Sequence, residues 1–145
     1  MEVKPKVAFV CVHNSCRSQM AEALGKYYAS DIFESYSAGT DIGSGIDKDA
    51  VRLIKEIYGI DMEKTQHPKT IDELPKIDVK ISMGCDASCP HVQAEMIEDW
   101  GLEDPTGRGD EFFRIVIDEI DQRVRDLRES LKFELEAGSR PLGVQ

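Results

Sequence analysis

The sequence predicts an α/β fold: a single doubly wound domain whose four-stranded parallel sheet is flanked by helices. Three observations predict it. Residues 6–12 (KVAFVCV) are apolar nearly throughout, as expected of a strand buried on both faces of a parallel sheet. Extended and helix-spaced stretches then alternate along the chain, and strands joined by helical crossovers build a doubly wound sheet. The length of 145 residues suits one ordinary domain with its own core. We expect residues 1–137 to form that domain and residues 138–145 (GSRPLGVQ) to be a flexible C-terminal tail.

The elements follow in order. After strand one and the polar turn His13-Asn14-Ser15, residues 17–29 place Met20, Ala21, Leu24 and Tyr28 at helical spacing. A second extended run, 33–38, leads into Gly39. The following helix carries Val51, Ile54 and Tyr58 on one face and closes at Gly59, a left-handed C-cap candidate. Residues 77–83 (IDVKISM) read as a third strand and residues 95–100 as a weaker fourth. From 111 to 136, Phe113, Val116, Ile120, Val124, Leu127 and Leu131 keep three-and-four spacing, so a long amphipathic helix ends the domain. The glycine-rich stretch 39–45 lacks dinucleotide-motif spacing and reads as a connector, and Trp100 reads as core. In such a fold ligands bind outside the carboxyl ends of the strands, where Cys11, Cys85 and Asp104 are expected.

Lys plus Arg number 18 against 28 Asp plus Glu, a net charge of -10, which argues against nucleic acid or an anionic membrane as partner. An anion would have to be captured locally. No run is long enough to span a membrane and no secretory cleavage pattern follows the N-terminal apolar stretch, so cytoplasm is the expected location. Four cysteines, at 11, 16, 85 and 89, do not make a secreted disulfide framework; in a reducing compartment they point to catalysis, redox work or metal.

The chemistry concentrates between Cys11 and Ser18. A cysteine ends a strand, and an arginine stands six positions on where a helix begins. A loop of this kind turns backbone N–H groups inward at a helix N-terminus, which favours a tetrahedral oxyanion and the thiolate form of a cysteine at its base. His13, Asn14, Ser15, Cys16, Arg17 and Ser18 are therefore the candidate oxyanion-binding residues. Arg17 supplies a planar, permanent charge for oxyanion oxygens and for the transition state. Asparagine tolerates the left-handed conformation, so Asn14 can hold the loop shape, and Ser18 can donate to the Cys11 sulfur. Cys16 is expected to pack, and His13 to face the surface. On residues alone Cys11 is also readable as a buried strand-end thiol, and Asp104-Pro105 as a plain turn.

The stretches CVHNSCRSQMAE (11–22), SAGT (37–40) and Asp104-Pro105 together resemble the low-molecular-weight protein tyrosine phosphatase fold and, within it, the thioredoxin-coupled arsenate reductases. Phosphatases of this fold usually have proline after the Arg-Ser pair. Gln19-Met20, Thr106 after Asp-Pro, and the added cysteines look like the reductase branch.

The resemblance implies a thiol relay with no cofactor and no resident metal. Cys11 attacks arsenate, Asp104, protonated through partial desolvation, acts as general acid, Cys85 attacks the Cys11 sulfur and Cys89 then attacks Cys85. The implied product is a Cys85–Cys89 disulfide that thioredoxin reduces, in a protein expected to be a monomer. Cys85 and Cys89 stand closer than the usual pair of these relatives. Helical residues four apart have Cβ atoms about 5–6 Å apart, whereas a disulfide needs roughly 3.5–4.5 Å, so the segment must deform on oxidation. Glu22 and Asn14 resemble positions that shape the loop or a nearby cation site in some reductases. Two other readings stay open: a metal site from Cys85, Cys89, His91 and the distant His67, and a phosphatase that uses Cys11, Arg17 and Asp104 alone.

Overall fold

The computed structural model describes residues 4–84 and 92–136. Cys85, Cys89, His91 and the tail expected at 138–145 lie outside the described residues.

Strand β1 (Lys6–Val10) occupies the middle of a four-stranded parallel sheet of order β2-β1-β3-β4, with β2 at Glu34–Ala38, β3 at Val79–Ser82 and β4 at Met96–Asp99. Because β1 has a ladder on each side and helices or loops on each face, its positions after the half-buried Lys6 are all apolar, and Val7, Ala8, Phe9 and Val10 are fully buried. The sheet strands are shorter than the apolar runs that announce them. Val12 falls outside β1, since the chain turns away at Cys11 to form the loop.

Helix α1 runs over Arg17–Ala29, the span expected from its periodicity. Helix α2 (Lys48–Tyr58) starts on Asp47, whose carboxylate accepts the N–H groups of Asp49 and Ala50, and stops at Gly59, left-handed with φ 75°. A single turn, α3 (Met62–Thr65), and a 3₁₀ turn (Ile71–Glu73) are too short to show a period in sequence. The long helix α4 covers Asp110–Glu136.

The alternating faces of the strands split the core in two. Val7, Phe9, Val79, Ile81 and Met83 join the buried faces of α1, α2 and α4 in the main cluster. Ala8 and Val10 point to the other face, where Ile77 and Val92 complete a smaller cluster edged by Ile71 and Leu74. The connection from α3 to β3 reaches that second face by passing the end of β2, where Gly39 and Thr70 form a parallel bridge. At the helical layer, Asp121 of α4 accepts hydrogen bonds from Tyr28 of α1 at 2.7 Å and Tyr58 of α2 at 2.6 Å. Burial and this carboxylate push the Tyr28 hydroxyl up to about 12. Strand β4 is the exposed edge, with Ile97 open to solvent, and no described helix is long and apolar enough to cross a membrane.

Phe9 packs against Trp100 with ring centroids 5.5 Å apart in the middle of the main cluster. Phe9→Ala is expected to lower unfolding stability by about 3–5 kcal/mol in urea titrations. Ile97→Ala, on the exposed edge, should change it by no more than about 0.5 kcal/mol.

Candidate active site

Cys11 follows the last residue of β1, and both ladders persist to that point. Its N–H donates to Ala38 O at 3.2 Å, and Met83 N–H donates to Val10 O at 3.2 Å. The chain then turns sharply. Asn14 takes the left-handed conformation, φ 51°, the one non-glycine residue among the described residues to do so. That turn aims the Asn14 N–H at the Cys11 sulfur, 3.2 Å away, and the Ser18 hydroxyl lies 2.9 Å from the same sulfur.

The loop is clamped from outside by the end of β2 and the segment after it. Thr40 and Asp41 both donate their N–H groups to Val12 O at 2.9 Å, and Asp47 donates to Ser15 O at 2.8 Å. Gly39 sits against the loop so closely that a Cβ there would meet Val12 O at 2.5 Å and Cys11 O at 2.9 Å. Any side chain would push the two backbones apart. This is the physical content of the SAGT stretch (37–40), one of those that carry the resemblance.

Arg17 begins α1 and is half-buried. Its Nη1 donates to Met83 O and Leu102 O, each at 2.6 Å, so the guanidinium is anchored at the carboxyl ends of β3 and β4. Asp104 lies just beyond Leu102 and is exposed. Partial burial is the largest single influence on its carboxyl and raises it. Hydrogen bonds from the Thr106 hydroxyl at 2.7 Å and the Thr106 N–H at 3.0 Å act the other way, as do the nearby Arg17 and His13. The sum holds the Asp104 carboxyl below its usual range, so the expectation of an acid kept protonated by desolvation is corrected: the Thr106 donors, Arg17 and His13 together outweigh partial burial.

The remaining loop side chains mostly face the protein. Asn14 and Ser18 are fully buried, and Cys16 nearly so. Burial first, and the Asp47 carboxylate second, push the Cys16 thiol far above its usual range, so Cys16 stays a neutral packed thiol. His13 is exposed, with Nδ1 2.8 Å from Asp41 O. Ser15 is half-buried and ties the loop to α2 through its carbonyl.

Sequence reasoning named Glu22 as a position that shapes the loop but missed the amide support beneath it. Gln19, Gln66 and Glu22 are buried polar residues. Gln19 Nε2 donates to Asn14 Oδ1 and Asn14 O, both at 3.0 Å, and Gln66 Nε2 donates to Gln19 Oε1 at 2.7 Å. The Glu22 carboxylate accepts from Ser37 at 2.5 Å and pairs with the Lys26 ammonium at 2.6 Å and, more loosely, the Lys69 ammonium at 3.4 Å. Two ammonium groups of the chain thus balance the buried Glu22 carboxylate. The available signal was a polar triplet, Ser18, Gln19 and Glu22, in the otherwise apolar first turns of α1.

The low molecular weight phosphotyrosine protein phosphatase family model matches residues 6–137. The chain belongs to that family. An arsenate reductase of Brevibacillus brevis is 37% identical over 134 residues, covering 90% of this chain and 98% of the relative. A solved arsenate reductase in the phosphate binding state is 37% identical with a TM-score of 0.77, covering 88% of this chain and 98% of its own. A thioredoxin-dependent arsenate reductase of Corynebacterium glutamicum is 34% identical with a TM-score of 0.72, covering 90% of this chain and 63% of its own. The four-stranded parallel fold expected from the sequence is therefore the family's fold.

Two outcomes are expected here. Carbon-13 NMR should place the Asp104 carboxyl midpoint below the unperturbed value of roughly 3.9, and Thr106→Val should raise it. A carboxyl more acidic when folded stabilises above its unfolded midpoint, and that contribution disappears as pH falls through the folded one. Gly39→Ala should cost about 1–3 kcal/mol of stability, with amide chemical-shift changes concentrated in residues 11–17.

Proposed function

We propose that the protein is an arsenate reductase that converts arsenate to arsenite with cysteine thiols and is regenerated by thioredoxin. One observation carries the reading: the Cys11 sulfur, at the end of the central strand, receives a backbone N–H and faces a hydroxyl at the start of α1, with Arg17 anchored in the same loop. That is the setting of a sulfur nucleophile beside an oxyanion cradle. The arsenate reductases it matches over most of its length support arsenate as the oxyanion, and a relative described as thioredoxin-dependent supports the reductant.

In this reading the loop from His13 through Asn14, Ser15, Cys16 and Arg17 to Ser18 holds the oxyanion, chiefly by backbone N–H groups and by the Arg17 N–H groups not spent on Met83 and Leu102. Bound oxyanion charge favours the protonated form of Asp104, so the carboxyl takes up a proton as substrate arrives. The Cys11 thiolate attacks arsenic, and the departing oxygen leaves as water with that proton. Cys85 thiolate attacks the Cys11 sulfur, the S–As bonding pair stays on arsenic, and arsenite departs two electrons reduced. Cys89 then attacks Cys85, which frees Cys11 and leaves a Cys85–Cys89 disulfide for a thioredoxin dithiol to reduce. No cofactor or metal enters these steps. A monomer in the cytoplasm, with residues 1–137 as its catalytic domain, completes the reading, since a reducing compartment keeps the thiols available. Aryl phosphate hydrolysis is a compatible side activity, because Cys11, Arg17 and Asp104 suffice for it.

The test is arsenite formation by the reduced protein with thioredoxin, thioredoxin reductase and NADPH, beside glutathione with glutaredoxin and an aryl phosphate assay. Thioredoxin-driven arsenite is the expected result; aryl phosphate hydrolysis without arsenite would replace the reading with a phosphatase. Cys11→Ser should lose both activities, and Cys85→Ser only the first. Full arsenate turnover by Cys85→Ser would overturn the relay.

A further inference from the structure

The buried amides under the loop form a chain with a determined direction. Backbone groups, which cannot reverse, fix it. Lys69 N–H donates to one side-chain atom of Asn14 at 2.9 Å, so that atom must be Oδ1, and the Asn14 amine must face Ser18 Oγ, 2.9 Å away. The Gln19 amide faces the backbone carbonyls of Asn14 and His67 as well as Asn14 Oδ1, at 3.0–3.1 Å, so this end is the amine and Gln19 Oε1 faces Gln66. Gln66 in turn donates to Gln19 O at 3.0 Å and Oε1 at 2.7 Å. Its own Oε1 is the buried side-chain oxygen without a partner among the described residues, and it marks the head of the chain.

Every donor therefore points the same way, from Gln66 to Gln19 to Asn14 to Ser18. Ser18 Oγ already accepts from Asn14, which directs its single proton to the Cys11 sulfur 2.9 Å away. The sulfur is thus presented with two protons, from Ser18 Oγ and from Asn14 N, the arrangement that suits a sulfur acting as acceptor. Low exposure keeps water from competing: Asn14, Ser18 and Gln19 are 0% exposed and Gln66 6%.

We propose that Gln19 is a positioning residue for the Cys11 nucleophile: together with the Lys69 N–H, it holds the Asn14 amide in the one orientation that sends the Ser18 proton to the sulfur. Gln19 touches neither the sulfur nor any oxygen of a bound oxyanion; it acts through Asn14 and Ser18. The proposal rests on the reading of Cys11 as nucleophile.

The test is the rate of Cys11 alkylation by iodoacetamide at neutral pH in the full-length reduced protein, localised to Cys11 by fragment masses, with arsenate turnover measured in parallel. Gln19→Met keeps the volume and removes the donors. It should slow alkylation about three- to tenfold, the scale of one hydrogen bond to a charged group weakened. Ser18→Ala should slow it about tenfold, and the double variant no more than Ser18→Ala alone, because Gln19 has no other route to the sulfur. A merely structural role would leave the two effects multiplicative. Wild-type alkylation in Gln19→Met, or multiplicative effects, would overturn the proposal. If circular dichroism shows Gln19→Met unfolded, Gln66→Met carries the same test, with a smaller slowing expected and wild-type reactivity decisive against it. Cys11→Ser separates the two readings: arsenate turnover surviving in it would remove the nucleophile assignment, whereas its loss beside an unaffected Gln19→Met removes the positioning role alone.

Discussion

The candidate site hangs on β1 being hydrogen-bonded on both sides up to its last residue. Ala38 O accepts from Cys11, and Val10 O accepts from Met83, so the strand cannot drift where it matters most. From that fixed end the loop has to change direction within a few residues, and the left-handed turn at Asn14 does so while swinging an N–H back toward the sulfur. The close approach of Gly39 is the second half of the same constraint. With no side chain there, the backbone after β2 can reach Val12 O with two N–H groups and hold the loop against α1.

Holding a polar loop inside a core requires that each buried polar group find a partner, because an orphaned one costs on the order of 1–3 kcal/mol. Helix α1 meets this demand with an unusual set of residues in its first two turns. Ser18 serves the sulfur and Asn14, Gln19 serves Asn14 and two backbone carbonyls, and Glu22 gathers Ser37, Lys26 and Lys69. The α3-to-β3 connection supplies Gln66, the His67 carbonyl and Lys69 to the same network, so a segment remote in sequence becomes the floor of the loop.

Local electrostatics oppose the bulk charge. The chain carries a net -10, yet the loop presents a helix N-terminus and Arg17, whose Nη1 is pinned to Met83 O and Leu102 O. The same two carbonyls fix the distance from the loop to the Asp104 turn. Thr106, donating twice to one carboxylate oxygen, acts with Arg17 and His13 against partial burial and holds the Asp104 carboxyl below its usual range.

By itself, the sequence determined whatever depends on short-range spacing. The apolar run of β1, the bounds of α1, the Gly59 stop, the three-and-four spacing of α4 and the strand-to-helix placement of Cys11 and Arg17 were legible because each is set by residues within a turn or two. Tertiary structure decided what depends on partners far along the chain: the Asn14 amide read by Lys69 across 55 positions, Gln19 met by Gln66 across 47, and Arg17 tied to Leu102 across 85. It also decided the ionised Asp104, whose neighbours Arg17 and His13 arrive from another strand end. A hydrophobic period carries no information about which buried amide faces which carbonyl; only packing the sheet edge, α1 and the α3-to-β3 connection together brings those groups within about 3 Å of one another.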